Sequence, residues 1–142
     1  MRAKDYLIEL HKIENQIESK KFMAETYRNF AEGVRSPSYS DMPKNPNRQR
    51  EPMADALMKA MELEEEVTKL EQHLIIKRAK LMDLILQLEK DYQVILIKRY
   101  FENKAWGQIA VSMYYTERWI YKLHGTALKL MDELIKSSVE FS

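Results

Sequence analysis

The side chains in this sequence that could do chemistry together lie within residues 117–129, ERWIYKLHGTALK. If this segment is a helix, Ile120, Leu123 and Ala127 form its apolar stripe. The other face then carries polar side chains and one glycine: Glu117, Arg118, Tyr121, Lys122, Gly125 and Lys129. Side chains of Arg, Lys and Tyr near the start of a helix can reach base edges and phosphates in a DNA major groove. The spacing therefore indicates a helix that could read duplex DNA.

Residue types for catalysis or metal binding are not grouped in this way. The histidines are scattered at His11, His73 and His124, and each is expected to be an ordinary residue on a helix surface. The chain has no cysteine, and it contains no glycine-rich phosphate loop and no nucleophile elbow. We therefore expect a protein that is not an enzyme, with no metal site and no cofactor.

The composition predicts an all-α protein. Three glycines and four prolines in 142 residues, with many Leu, Met, Glu and Lys residues, favour helices and no sheet. No apolar run approaches the length of a membrane span, so a soluble, cytoplasmic protein without membrane contact is expected. The net charge of +1 argues against a general polyanion binder. A DNA reader of this composition needs its positive charge concentrated on one face.

Two long apolar patterns precede residues 117–129, which are called the DNA-reading segment in this subsection. Residues 1–33 are expected to form an amphipathic helix with the stripe Leu7, Leu10, Ile13, Ile17, Ala24, Tyr27 and Ala31. Residues 53–90 are expected to form a second helix, begun after Pro52, with the stripe Leu57, Ala60, Leu63, Val67, Leu70, Leu74, Leu81, Leu84 and Leu88. The stripes can pair with each other in a helical hairpin or coiled coil, or one can pair with a second chain, with a dimer favoured. The sequence leaves both alternatives open.

Residues 34–52 separate these two helices. The segment is rich in proline, serine and asparagine and has no apolar periodicity, so a loop is expected and a helix is not. Four basic residues lie in it: Arg35, Lys44, Arg48 and Arg50. They fit a solvated linker or, alternatively, an arm that follows a DNA backbone or contacts a polymerase.

The last part of the chain, residues 91–142, predicts three helices separated by two breaks. Asp91 is expected to cap the first helix, whose stripe is Val94, Ile97 and Phe101. Asn103 is expected to end it, because Asn tolerates the left-handed backbone conformation. The second helix has the apolar face Trp106, Ile109, Ala110 and Met113. These two helices would support the DNA-reading segment.

The second break predicts a helix-turn-helix. Tyr114 occupies the turn, where Gly, Asp or Asn would be easier, and Thr116 is a good N-cap for a third helix that runs to about residue 136. The buried stripe of that helix is expected to be Ile120, Leu123, Ala127, Leu130, Met131 and Leu134. The aromatic residues Tyr100, Phe101, Trp106, Tyr115 and Trp119 are assigned to the core. Gly125 interrupts the third helix and indicates close packing or approach to a backbone.

Residues 96–131, LIKRYFENKAWGQIAVSMYYTERWIYKLHGTALKLM, resemble region four of bacterial sigma factors. The matching positions are Arg99, Tyr100 and Phe101 in the first helix, Trp106, Ile109 and Ala110 in the second, and Tyr115, Thr116, Ile120, Leu123, Ala127 and Leu128 in the third. The layout of the whole chain is similar to that of phage transcription regulators of the ArpU and RinA type. This resemblance implies a sequence-specific regulator that binds double-stranded DNA in a bacterial host cell, activates phage or prophage late genes, and contacts host RNA polymerase.

The resemblance does not carry over a DNA sequence, because sigma factors often hold Arg, Glu and Gln at the base-reading positions. We expect Glu117, Arg118, Tyr121 and Lys122 to face the bases, and Lys104, Thr116 and Lys129 to hold the phosphate backbone. Two other functions stay open. One is a phage DNA-packaging recognition subunit of the small-terminase kind, and the other is a protein-interaction or adaptor module that does not bind DNA.

Overall fold

The computed structural model describes residues 1–33 and 46–141, with side chains throughout except at 46–51. This part of the chain is all-α, as predicted, and contains no strand. The α-helices are α1 (Ala3–Ala31), α2 (Pro46–Ile85), α3 (Lys90–Leu96), α4 (Trp106–Met113) and α5 (Glu117–Ser137). A π-helical turn, Ile97–Phe101, continues α3, and a short 3-10 turn, Val139–Phe141, follows α5. None of the described helices is both long enough and apolar enough to cross a membrane.

Two compact units make up the chain, and the first comprises Glu14–His73. In it α1 and α2 run antiparallel, because the ion pairs join Lys21 to Glu71 and Arg28 to Glu64, so that numbers rise on one helix as they fall on the other. Small and branched apolar side chains of the two helices are buried in this unit: Ile17, Ala24, Ala56, Ala60 and Val67. The part of the first apolar stripe that is buried in this unit, Ile17 and Ala24, is therefore covered within one chain.

Helix α2 differs from the prediction at both ends and at one apolar position. It begins at Pro46 and contains Pro52, so the expected loop is helical from residue 46 onward. Pro46 is tolerated at the helix start, because the first N–H groups have no intrahelical partner. Pro52 is the seventh residue of the helix, and having no N–H it leaves one intrahelical hydrogen bond unmade. Leu57, predicted in the stripe, is 38% exposed, because the seam takes its neighbour Ala56 instead. Arg35 and Lys44 lie outside the described residues, and Arg48 and Arg50 lie in the first turns of α2.

Helix α2 ends at Ile85, short of the expected residue 90. Just after this end, a side chain donates hydrogen bonds to main-chain carbonyl groups. The side-chain Nε2 atom of Gln93 donates hydrogen bonds to the main-chain carbonyl oxygens of Leu86, at 3.2 Å, and Leu88, at 2.7 Å. Carbonyl groups at a helix end lack intrahelical donors and need such partners. The new helix α3 then starts after Glu89.

The second unit comprises Met1–Ile13 together with Leu74–Ser142. Its N-terminal segment is held to the end of the chain: the Ala3 N–H donates to the Asp132 carboxylate at 2.6 Å, and the Tyr6 ring meets the Phe141 ring edge-on. Helix α5 packs against both α3 and α4. The elements that position residues 117–129 therefore belong to this unit.

Candidate nucleic-acid interface

A small apolar cluster fixes α4 and α5 against α3. Ile95, Ile109, Ala110 and Ile120 are buried together, and Trp106, Met113 and Leu123 pack around them. This cluster confirms the predicted face of α4, and with the buried Ala127 and Met131 it confirms the face of α5, on which Leu130 and Leu134 are only half-buried. The predicted stripe of the first helix is wrong, because Ile95 and Leu96 are fully buried while Val94, Ile97 and Phe101 are only half-buried.

The error in that stripe has a local cause. The Glu102 N–H donates to the Ile97 carbonyl at 3.0 Å, five residues back, as a π-helical turn requires. This wider turn moves Phe101 out of a regular helical repeat. Ile95 and Leu96 precede the turn, and because residues 94–97 are all apolar, the repeat selects no single face there. Asn103 then ends the turn with φ 58°, so the predicted left-handed residue is confirmed.

The predicted N-cap of α5 is confirmed, and the predicted N-cap of α3 is wrong. Thr116 caps α5 as expected, since its hydroxyl oxygen accepts a hydrogen bond from the Trp119 N–H at 3.2 Å. Asp91 does not cap α3, because Glu89 holds the N-cap position. The Asp91 carboxylate lies in the first turn and accepts a hydrogen bond from the Tyr115 hydroxyl at 2.7 Å, which links the start of α3 to the turn before α5.

The connection between α4 and α5 is the three-residue turn Tyr114, Tyr115 and Thr116. Tyr114 has φ 60° and ψ 35°, a left-handed conformation that is costly for a residue with a Cβ. Its side chain is 95% exposed, so the ring makes almost no packing contact in return. The two helices and this turn form a helix-turn-helix arrangement.

Two aromatic residues assigned to the core are on the surface. Tyr115 is 37% exposed, with its hydroxyl hydrogen-bonded to the half-buried Asp91, and Trp119 is 46% exposed. Trp119 directly precedes the buried Ile120, and adjacent residues on a helix point about 100° apart. Core burial of Ile120 therefore turns the Trp119 ring outward.

An aromatic cluster joins the π-helical turn, α4 and α5. The Tyr100 hydroxyl and His124 Nε2 are 2.7 Å apart, and the edge of the His124 ring meets Trp106 at 4.6 Å between centroids. The Arg99 guanidinium lies over the Trp106 ring, 4.4 Å from its centroid. The expectation that His124 is an ordinary surface residue is therefore wrong. Its spacing of three from Tyr121, whose ring also contacts Trp106, was the only signal in the sequence.

The cluster changes the protonation of His124. Burial and, to a smaller extent, the positive charges of Lys4 and Arg99 together lower the pKa of His124 to about 4. Burial also raises the pKa of the Tyr100 hydroxyl. Both rings are therefore neutral at pH 7, and which of them donates the hydrogen bond depends on the tautomer of the imidazole.

Three of the residues predicted to contact DNA share one exposed stripe. Arg118, Lys122 and Lys129 are exposed on α5, at spacings of four and seven. Gly125 completes the stripe, three residues after Lys122 and four before Lys129, and is exposed as well. This stripe, Arg118, Lys122, Gly125 and Lys129, is called the basic stripe below.

The other predicted residues lie beside the basic stripe or outside α5. The Glu117 carboxylate lies against the first turn of α4, 3.5 Å from the position that a Cβ on Gly107 would take. Tyr121 is half exposed, and its ring contacts Trp106 at 5.4 Å between centroids. Thr116 is exposed at the cap, and Lys104 is exposed in the segment before α4. Of the seven residues, α5 thus brings three cations together.

The basic stripe lies in the more basic of the two units. The unit that contains it has 14 Lys and Arg against 10 Asp and Glu, a net charge of +4. The unit Glu14–His73, called the hairpin unit below, has 9 against 12, a net charge of −3. The described part of the chain contains no group of three His, Asp or Glu residues that could hold a metal ion. The chain matches no protein-family model, and comparison with curated proteins and solved structures finds no similar protein or structure.

Proposed function

We propose that this protein binds double-stranded DNA sequence-specifically through α5 and regulates transcription, as an activator of phage or prophage late genes. One observation carries the proposal: three exposed cations lie on one stripe of a helix that is capped by Thr116 and follows a three-residue turn. A helix presented in this way can enter a major groove with its N-terminal residues against base edges.

The charge distribution supports the same function. A protein with a net charge of +1 has little general attraction for DNA, but here the excess cations are concentrated in the unit that contains α5. Each phosphate contact releases counterions, so binding should weaken steeply as salt concentration rises. Arg118 and Lys122, nearest the start of α5, are assigned to the bases, and Lys104, Thr116 and Lys129 to phosphates.

Tyr121 and Glu117 keep supporting roles in this proposal. The Tyr121 ring contacts the Trp106 ring, and the exposed half of the Tyr121 side chain is available to a base. Glu117 lies in the first turn of α5, where its charge is favoured by the helix dipole, and beside Gly107. Its base-facing role therefore needs a change of side-chain rotamer.

The protein is proposed to act as a dimer, and the resemblance to sigma region four points to host RNA polymerase as a further partner. The hairpin unit leaves several large apolar side chains exposed, including Phe22 at 71%, Met58 at 60% and Met61 at 56%. Met58 and Met61, three residues apart on α2, share one face, and exposed apolar faces are typical of surfaces that pair with another protein chain. A second copy would place two DNA-reading helices on one operator.

Selection of genomic fragments with the purified protein tests the DNA-binding function. The wild-type protein should enrich a discrete site upstream of a gene cluster, and the double variant Arg118→Ala/Lys122→Ala should not. A matched double variant, Lys20→Ala/Lys21→Ala, removes the same charge from the hairpin unit and should keep the enrichment. Absence of any enriched site at low salt, with folded protein, would overturn the proposal.

One observation favours a second candidate function, a protein-interaction module. Val111 and Tyr114 are 78% and 95% exposed, and Trp119, also exposed, lies near them in sequence at the start of α5. Apolar and aromatic side chains of this kind are enriched in protein interfaces. Binding that is insensitive to salt and survives loss of Arg118 and Lys122 would select this function, because phosphate contacts impose a steep salt dependence.

A further inference from the structure

Gly125 stands in the middle of the basic stripe. It is exposed, with Lys122 three residues before it and Lys129 four residues after it. Arg118, Lys122 and Lys129 carry long cationic side chains, whereas the position between them carries none. A surface that meets these cations therefore comes closest to the α5 main chain at Gly125.

The fold gives no reason for a glycine at this position. The backbone of Gly125 is helical, and among the described glycines only Gly33 has a positive φ. A Cβ added at Gly125 would have no atom of the described chain within 4 Å. Close packing, one of the two explanations expected from the sequence, is thereby excluded for this part of the chain. Alanine would fit without strain and would favour the helix, because glycine is among the poorest helix formers.

We infer that Gly125 is a close-approach site, where the edge of the bound duplex contacts the α5 main chain directly. The inference rests on the proposed function, and it adds Gly125 to the residues that contact DNA. Gly125 contributes to this contact because it has no side chain. Lys122, before it, meets a base edge and Lys129, after it, binds a phosphate, and the absence of a Cβ lets the helix axis approach the duplex more closely. Glycine serves this purpose wherever a backbone must come close to a ligand.

The inference predicts opposite effects on stability and on binding. Gly125→Ala and Gly125→Leu should both unfold at a higher temperature than the wild-type protein, because both residues favour a helix and find open space. Their affinity for DNA should nevertheless fall, by about tenfold for alanine and about 100-fold for leucine, the range that the loss of one good base contact produces. A glycine without a binding role gives the stability gain alone.

The experiment measures melting temperature and DNA affinity for wild type, Gly125→Ala, Gly125→Leu and the control Ser137→Ala. The probe is the duplex that the wild-type protein enriches from genomic fragments. Ser137 is exposed at the end of the same helix, outside the basic stripe, and its alanine variant should bind as the wild type does.

The outcomes separate the inference from the function beneath it. Stabilised variants with graded loss of affinity support the close-approach site. Stabilised variants that bind the duplex as tightly as wild type overturn it and leave the DNA-binding function intact. A wild-type protein that enriches no duplex overturns the DNA-binding function, and the close-approach site with it.

Discussion

The hydroxyl oxygen of Tyr100 and the Nε2 atom of His124 are 2.7 Å apart, joining the π-helical turn to α5 beside Trp106. Because burial lowers the pKa of His124 to about 4, the folded protein resists the protonation that the unfolded chain accepts near pH 6.5. The unfolded state then binds more protons between these two values. Stability from this group is therefore complete above about pH 6.5 and is lost as the pH falls toward 4.

Urea denaturation at several pH values checks this prediction. The free energy of unfolding should fall by up to about 2 kcal/mol between pH 6.5 and 4, less than the full shift implies, because the half-exposed ring is screened by solvent. His124→Phe should lose that part of the pH dependence. His73→Gln, which replaces an exposed histidine of α2, should keep it. An identical pH profile for His124→Phe and wild type would contradict the assignment.

Tyr114 should be a site where glycine stabilises the protein. Its φ of 60° is costly for any residue with a Cβ, and its exposed ring contributes almost nothing to packing. Tyr114→Gly removes this strain and should raise the free energy of unfolding by about 0.5 to 1 kcal/mol, part of the gain being offset by the freer unfolded chain.

The matched control for the turn is Tyr114→Ala, measured by the same thermal or urea denaturation. Alanine removes the ring but keeps the Cβ, so it should show no comparable gain. Equal stabilisation by glycine and alanine would mean that the ring itself, rather than the backbone conformation, destabilises the wild-type protein.

Thr116 should contribute to stability through its hydroxyl group alone. The hydroxyl oxygen accepts the Trp119 N–H at the start of α5, and loss of such an N-cap costs about 1 kcal/mol. Thr116→Ala should therefore lower the free energy of unfolding by that amount, as measured by urea denaturation, while Thr116→Ser should stay close to wild type. A serine variant as unstable as the alanine variant would point to the methyl group instead.

The local features of this fold were predictable because their chemistry is local. Thr116 and Asn103 were identified from the preferences of single residues for caps and left-handed positions, and both occupy those positions. The faces of α4 and α5 followed from a regular helical repeat. The buried pair Ile95 and Leu96 did not, because residues 94–97 are all apolar and a helical repeat selects no single face there.

Features that depend on several elements could not be read in the same way. The environment of His124 is made by Tyr100 and Trp106, which lie on two other elements, so a scan of the sequence saw only a lone histidine. Asp91 looked like a cap but is engaged by Tyr115, 24 residues away. At Gly125 the sequence offered two explanations, and only the open space around the missing Cβ separates them.

The exposed methionines of α2 should support self-association. Met58 and Met61 are 60% and 56% exposed, so the double variant Met58→Glu/Met61→Glu should fold while placing charge on any apolar interface there. We expect light scattering to give a dimer for wild type and a monomer for this variant. Ser137→Glu, with a single added charge on α5, should remain a dimer. A dimer that survives the double substitution would locate the interface elsewhere.

Arg118 and Lys129 should fail in different ways when each is replaced by alanine. Arg118 lies in the first turn of α5, where a guanidinium can bind a base edge with two hydrogen bonds, whereas Lys129 lies further along the same stripe and is assigned to a phosphate. Arg118→Ala should cost about 1 to 3 kcal/mol on the selected duplex and relax the preference at one base pair. Lys129→Ala should weaken the binding of all duplexes alike and reduce the slope of log affinity against log salt by about 1.

Titrations of the selected duplex, its single-base variants and an unrelated duplex at several salt concentrations measure both effects. Equal losses on every duplex from Arg118→Ala would show that Arg118 contacts phosphate, and the reading of bases would then fall to Lys122 and Tyr121.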